Sequence, residues 1–361
     1  MRLLVTGGAG YIGSVVSALL VAAGHEVTVL DDLSTGHSSA VPPGAAFVAG
    51  RVQDEAAAVL AGGVDAVLHL AARSLVGESV ANPALYWENN LGGTLALLEA
   101  MRVAGTRRIV FSSTAAVYGE PERVPIEETD PTRPTSPYGG SKVAVDTALA
   151  EFARLYGFAP VSLRYFNVAG AHPRPAEPGR GAGARAGGQA GDGGGGQADG
   201  AGQAGDGGGW LGEQHSPETH LIPNVLSVAA AIAAGREGEV ALFGDDYPTP
   251  DGTCVRDYIH VTDLAHAHLA ALEACEPGRP KVYNLGSESG SSNLEVLDMC
   301  RAVTGLDIPA RIEPRRPGDP AVLVASSARI RAELGWRPHR DLRAMVADAW
   351  AFTQSLALPS R

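Results

Sequence analysis

Tyr138 and Lys142 stand four residues apart in SPYGGSK, residues 136–142, and a phenol and an ammonium at that spacing can move a proton together. Ser136 is a good helix N-cap and Pro137 suits the first helical position, so a helix is expected to start here. Residues i and i+4 then lie on one face, a turn apart. A free phenol, with a pKa of about 10, is a poor base at neutral pH. An ammonium beside it favours the phenolate and should lower that pKa. The lysine stands out for its type. Among 28 Lys and Arg residues, only Lys142 and Lys281 are lysines. A compact ammonium with rotatable donors can fill a geometry that the rigid guanidinium fork cannot.

A third polar group belongs near this pair. RRIVFSST, residues 107–114, reads as a strand ending in Ser112, Ser113 and Thr114. In doubly wound sheets the carboxyl ends of strands face the ligand crevice. A hydroxyl there can bond a substrate oxygen and relay its proton to Tyr138.

Upstream, TGGAGYIG at 6–13 joins the first apolar run to the first helix-like stretch and carries Gly7, Gly10 and Gly13, with Tyr11 and Ile12 between the last two. Glycines at this spacing allow a tight turn, close approach of the backbone to a pyrophosphate and close helix–strand packing. The helix N-terminus supplies free N–H groups. Asp31 and Asp32 end the second apolar run, where a carboxylate accepts from ribose hydroxyls and repels a 2′-phosphate. The expected cofactor is therefore NAD, whose nicotinamide charge would add to that of Lys142.

These residues need a scaffold. Apolar runs at 3–7, 26–31, 64–72, 107–113 and 161–167 alternate with helix-like stretches such as 13–24 and 94–105. That pattern predicts an α/β fold, a doubly wound parallel sheet of Rossmann type covered on both faces. The second half predicts helices at 223–235, 262–274, 293–304 and 341–355, and a strand at 281–286 returning to the first sheet. The expected division is a cofactor domain over 1–168 and a smaller substrate-binding lobe over 169–361. Residues 175–210 are mostly Gly and Ala and repeat GQAGDGGG, so they read as a disordered insertion without a specific role.

The net charge of −12 argues against nucleic-acid binding, which rests on clustered cations. Cys254, Cys275 and Cys300 form no CxxC pair, so neither a disulfide framework nor a zinc site is suggested. His266 and His268 are two apart on an expected helix and read as surface and packing residues, and Thr35-Gly36-His37 as a plain loop. No metal site is expected. No apolar run approaches the roughly 20 residues that span a bilayer, and with no signal segment in view a cytoplasmic location is expected.

Together, TGGAGYIG, SSTAAVYG, SPYGGSK, LRYFNVAGA and GTCVRDYIHVTDLA resemble the extended short-chain dehydrogenase/reductases, and among them the UDP-glucose 4-epimerase family; GESVANPALYWENN and EPRRPGDPA extend the likeness to most of the chain. The resemblance implies tightly held NAD, a UDP-hexose substrate and a homodimer. It implies that Tyr138 takes the proton of the sugar 4′-hydroxyl while hydride leaves C4′, and that the 4-keto sugar turns over before hydride returns. Thr114 matches the family's hydroxyl partner. Asn89 and Tyr165 match cofactor contacts, and Asn167, His220, Arg256, Arg316 and Asp319 match the nucleotide-sugar side. Leu323 matches a position that gates N-acetylated sugars. Arg51 departs from the aspartate often found beside adenine, and Arg73-Ser74 replaces a lysine of some members. Ala115-Ala116 counts against a 4,6-dehydratase, whose chemistry needs acid–base residues there. Another UDP-sugar 4-epimerase, acting on N-acetylhexosamine or uronate, and a non-catalytic NAD sensor remain as alternatives.

Overall fold

The apolar runs of the first half form strands because nearly every residue in them is buried, as in a parallel sheet covered on both faces. The computed structural model describes residues 1–175, 209–316 and 319–357. Its main sheet holds β1 (Arg2–Thr6), β2 (Glu26–Asp31), β3 (Ala46–Ala49), β4 (Ala66–His69), β5 (Arg108–Thr114), β6 (Ala159–Tyr165) and β7 (Lys281–Leu285). The seven strands are parallel and lie in the order β7-β6-β5-β4-β1-β2-β3. The order reverses between β1 and β4, and such a switch point opens a crevice at the strand ends. The Gly/Ala-rich expectation over 175–210 falls, for 176–208, outside the described residues.

Alternation within the strands feeds two cores. Val5, Val29 and Leu68 pack with the helices Tyr11–Ala22 and Val261–Glu273, through Val15, Ala18, Leu264 and Ala271. Leu4, Leu30 and Val67 pack on the opposite face with Leu60, Leu97, Met101, Val145 and Leu149. A division at 168 therefore does not separate the layers: both β7 and the helix Val261–Glu273 return to the first one. β3 is a largely exposed strand of four residues, AFVA, too short to show a period in the sequence.

The remaining chain builds a third core from the helices Leu221–Ala233, Asn293–Thr304 and Leu342–Ala357, through Val225, Leu226, Val296, Leu297, Met345 and Val346. Beside it the strand Val255–His260 pairs in parallel with Asn167–Ala169 and Val322–Leu323, and antiparallel with Gly290–Ser292. This register sets Asn167 opposite Tyr258 and Arg256 opposite Leu323. Three residues expected on the substrate side thus come from one small sheet.

The polar residues of RDYIHVTD are mostly structural. The buried Asp257 carboxylate accepts from Ser287 N at 2.7 Å, Ser287 Oγ at 2.6 Å and Ala325 N at 3.0 Å. His260 Nδ1 accepts from Thr262 N, so Nε2 carries the proton and donates to Asp348 at 3.0 Å. Asp263, 1% exposed, accepts from the His339 and Arg340 backbone N–H groups and from Arg340 Nη1 at 2.6 Å. A buried carboxylate needs all such partners, and they need it in turn. Replacing Asp263 by Ala is expected to cost roughly 3 kcal/mol, read as a fall in the urea midpoint with the slope unchanged. A loss under about 0.5 kcal/mol would show that Asp263 does not fasten the 336–340 segment.

Candidate active site

A cleft of about 420 Å³ opens at the carboxyl ends of β1, β2, β4, β5 and β6, within the usual range for small-molecule sites. The glycine loop floors it. Gly7 adopts φ +72°, and a Cβ there would meet the Ala71 backbone nitrogen at 2.5 Å. A Cβ on Gly13 would strike the Gly7 carbonyl, so the first helix can approach its own loop only with glycine at 13. Gly10 caps that helix with no side-chain acceptor, leaving its first N–H groups free for an anion. Gly7, Gly10, Tyr11, Ile12, Gly13, Asp31 and Asp32 all line the cleft. Asp31 has a second task there, since its two oxygens accept from Ala9 N at 3.0 Å and Leu33 N at 2.8 Å and so hold the loop in place. Thr35 lines the cleft as well, and His37 N donates to Ala9 O at 2.9 Å, so 35–37 supports the glycine loop and is more than a plain connection. Glycine cradle, free helix end and strand-end carboxylates fit a dinucleotide.

Across the floor, the helix Pro137–Tyr156 starts as its sequence dictates, with Ser136 Oγ accepting from Gly139 N at 3.2 Å. Tyr138 and Lys142 share one face: Lys142 Nζ sits 5.9 Å from the Tyr138 ring centroid and 4.8 Å from that of Phe111. It donates to Ser112 O at 2.8 Å. Ser112 Oγ bonds the Tyr165 hydroxyl, and Thr114 Oγ1 accepts from Ala116 N at 3.1 Å. Ser112 and Thr114 line the cleft; Ser113, between them on the strand, turns away toward Asp146 at 3.4 Å.

The electrostatics of the pair differ from expectation. Burial raises the Tyr138 phenol above its ordinary value, and only its interaction with Thr114 pulls it back. Burial also brings the Lys142 ammonium down to about 7, against a smaller upward pull from Asp146. Within the protein alone, desolvation outweighs mutual attraction. A phenolate needs a further positive charge beside it, such as the nicotinamide ring the sequence reading invoked.

Below the cleft, Thr6 Oγ1, His69 and Thr94 form a buried chain, with 2.6 Å to His69 Nδ1 and 2.8 Å from Nε2. Thr94 spends its proton on Asn90 O at 2.5 Å, so His69 donates from Nε2 and is neutral; burial, then Lys142, takes its pKa to about 3. Asn90 Oδ1 accepts from Arg73 N at 2.9 Å, and its amide donates to Ser141 Oγ at 3.1 Å. Asn89 reaches the cleft from the π-helical turn Trp87–Gly92; such wide turns re-aim side chains.

Asn167, His220, Arg256 and Leu323 line the substrate end. Arg316 and Asp319 do not. The Arg316 guanidinium lies 3.9 Å from the Phe243 ring centroid, and Asp319 reaches the cleft only through its bond to Arg256. His220, pulled down by burial but bound by Glu213 and Glu218, is raised to about 10. His69, Arg51, Glu213 and His215 also line the cleft. Arg51 is expected beside adenine; sequence reading gives the other three no role in the cleft, although the repeated E-x-H of 213–215 and 218–220 is a visible signal for Glu213 and His215.

Residues 3–185 and 208–286 match the model of the NAD dependent epimerase/dehydratase family. The chain belongs to that family. Among its relatives, a UDP-glucose 4-epimerase of Corynebacterium glutamicum is 50% identical over 99% of this chain and 97% of its own length. Another from Streptomyces lividans is 50% identical over 98% of this chain and 96% of its own. The fold matches the crystal structure of UDP-glucose 4-epimerase from Bifidobacterium longum in complex with NAD+ and UDP, with a TM-score of 0.82 and 36% identity over 98% of each chain.

Burial of Lys142 carries a stability cost with a defined pH dependence. Lys142 has a depressed folded pKa of about 7, so the folded state binds fewer protons than the unfolded one between about 7 and 10. Stability from this group is present above that window and lost as pH falls through it. Lys142→Met is therefore expected to exceed the parent's stability at pH 6 by roughly 2–4 kcal/mol, the gap closing toward pH 10. Parallel urea titrations at both pH values test this. A constant gap would mean that Lys142 keeps its ordinary pKa.

Proposed function

We propose that the protein interconverts UDP-glucose and UDP-galactose by oxidation and re-reduction at C4′ of the sugar. The observation that carries this is the meeting of Tyr138, Lys142 and Thr114 at the end of β5, in one cleft with the glycine loop. The relatives' names and the NAD and UDP of the Bifidobacterium longum complex support it.

NAD would be held by Gly7, Gly10, Tyr11, Ile12, Gly13, Asp31, Asp32, Asn89, Tyr165 and Lys142, and when bound it supplies reversible hydride exchange with the sugar. Tyr138 takes the proton from the 4′-hydroxyl as that carbon is oxidised and gives it back from the same position. Thr114, in reach of Tyr138, orients the hydroxyl. Lys142 holds positive charge beneath the phenol. A sugar that must turn over cannot itself be gripped tightly, so affinity has to come from the nucleotide. Asn167 and Arg256, set in register by the small sheet, and His220 serve that end, with Asp319 acting from behind Arg256. Leu323 borders the sugar. We assign residues 1–168, completed by β7, to the cofactor and the rest mainly to the nucleotide sugar.

A homodimer fits the exposed apolar residues on two neighbouring helices: Leu95 and Val103 on Gly93–Ala104, and Leu155 and Tyr156 on Pro137–Tyr156. Light scattering should give twice the chain mass, and Val103→Glu should shift it toward one; a monomeric parent sinks the pairing. Among the described residues no helix is long and apolar enough to cross a membrane, and Cys254, Cys275 and Cys300 are unpaired thiols, which supports placement in a reducing compartment.

The assay supplies UDP-galactose without added NAD and follows UDP-glucose through UDP-glucose dehydrogenase. Turnover is expected, with Tyr138→Phe lowering kcat by about 10² or more while UDP affinity stays within threefold. No turnover even with NAD supplied overturns the assignment for this sugar, and UDP-N-acetylglucosamine and UDP-uronates are then tried in turn. An undiminished Tyr138→Phe variant overturns the role of the phenol.

A further inference from the structure

Glu213, His215, Glu218 and His220 recur as E-x-H twice, five residues apart, between the short strand Trp210–Leu211 and the helix Leu221–Ala233. Folding turns this spacing into a focus. His220 Nδ1 lies 2.6 Å from Glu213 Oε1 and 3.3 Å from Glu218 Oε1, and His215 Nδ1 lies 3.0 Å from the same Glu213 oxygen. One ligating atom from each of the four residues falls within 4.8 Å of all the others.

Hydrogen bonding leaves one buried atom of this group without a partner. His215 Nδ1 is buried and makes no hydrogen bond, although it sits beside a carboxylate. Glu213 is the most enclosed of the four, its side chain 6% exposed. A carboxylate so placed requires positive charge, which a protonated His220 supplies in the absence of a metal ion and which a metal ion would supply by displacing that proton, while His215 Nδ1, outside hydrogen-bond geometry, offers a lone pair. Two nitrogen and two oxygen donors converging on a point meet both needs.

We propose that Glu213, His215, Glu218 and His220 bind a divalent transition-metal ion of the zinc type. Ligand atoms about 2.0–2.2 Å from a tetrahedral ion lie roughly 3.3–3.6 Å apart, and the observed separations, from 2.6 Å to within 4.8 Å, bracket that spacing. Mixed imidazole and carboxylate donors favour such an ion over magnesium or calcium, which take oxygen ligands throughout. The ion balances the two carboxylates and leaves the site neutral. That matters because Glu213, His215 and His220 line the cleft where anionic ligands would enter. It also ties 213–220 to the cofactor side, where His37 Nε2 already meets Gln214 O at 3.3 Å. The site does not depend on which sugar the protein accepts.

The test uses the full chain without a histidine tag, stripped with chelator and titrated with CoCl₂ and ZnCl₂. The expected result is one ion per chain, visible d–d absorption of the cobalt form at the intensity of a four-coordinate ion, and displacement by zinc. Glu213→Gln and His215→Ala should each weaken binding at least tenfold, whereas His339→Ala, outside the four ligands, should leave it unchanged. Absence of the cobalt bands and of stoichiometric zinc in the parent overturns the proposal, whether or not the variants fold. So does parental affinity in both folded variants, which would place the ion elsewhere.

Discussion

A lysine ammonium 2% exposed is the constraint around which the centre of this molecule is arranged. Desolvation of a unit charge is far larger than any single contact can offset, so several partial answers must converge. Lys142 has the Ser112 carbonyl at one donor and the Phe111 face at another, with Asp146 further along its own helix. Asp146 cannot close fully on the lysine because Arg164 holds it at 2.9 Å. The ammonium is thus kept charged weakly enough to respond to what binds beside it. Its helix has little room to shift: a Cβ on Gly139 would reach the Ala116 carbonyl at 2.5 Å, so Tyr138 is pressed against the strand end that carries Thr114.

The same economy governs the rest of the polar interior. Arg164 also donates to the Tyr118 hydroxyl at 3.0 Å, which donates to Asn284 on β7 at 2.7 Å. Charge at the site is therefore coupled to the strand that closes the sheet edge. In the second lobe Asp257, His260 and Asp263 are spent on backbone groups and neighbouring side chains, and only Arg256 of that run faces the cleft. Arg256 and Asp257 part in this way because a strand turns successive side chains to opposite faces.

The central sheet was readable because buried parallel strands are continuous apolar runs, and Ser136-Pro137 marked its helix start through local chemistry. What escaped had no local signature. Ala46–Ala49 is a short exposed edge, and Val261–Glu273 is an ordinary amphipathic helix whose return to the first layer depends on partners hundreds of residues away in sequence. In the site, residues tied to one element, such as Gly7, Asp31, Tyr138 and Lys142, were legible from spacing. His69 was not, because its place follows from pairing β4 beside β1. The sign of the Tyr138 shift was misread for a related reason: spacing reveals a neighbour's charge but not the burial that both groups share.

The cations around the cleft explain how an acidic protein can hold anionic ligands and still release them. Arg51 lies 3.6 Å from Glu88, Arg73 3.6 Å from Glu78, and Arg256 is bonded to Asp319. Among the described lining residues, each of these cations already has a carboxylate. An incoming phosphate must share or displace that partner, so the gain is the difference between two ion pairs rather than the whole of one. For the exposed Arg51 pair the exchange is nearly neutral. For the enclosed Arg256 it is decisive, because Asp319 left behind must find water or remain at the guanidinium's other edge. A planar fork with five donors can serve a carboxylate and a phosphate at once, which a lysine cannot do with the same fixed geometry. Arginine at the rim and lysine at the centre therefore differ by shape: the rim offers shared forks, and the compact ammonium in the cleft lies beneath the Tyr138 ring.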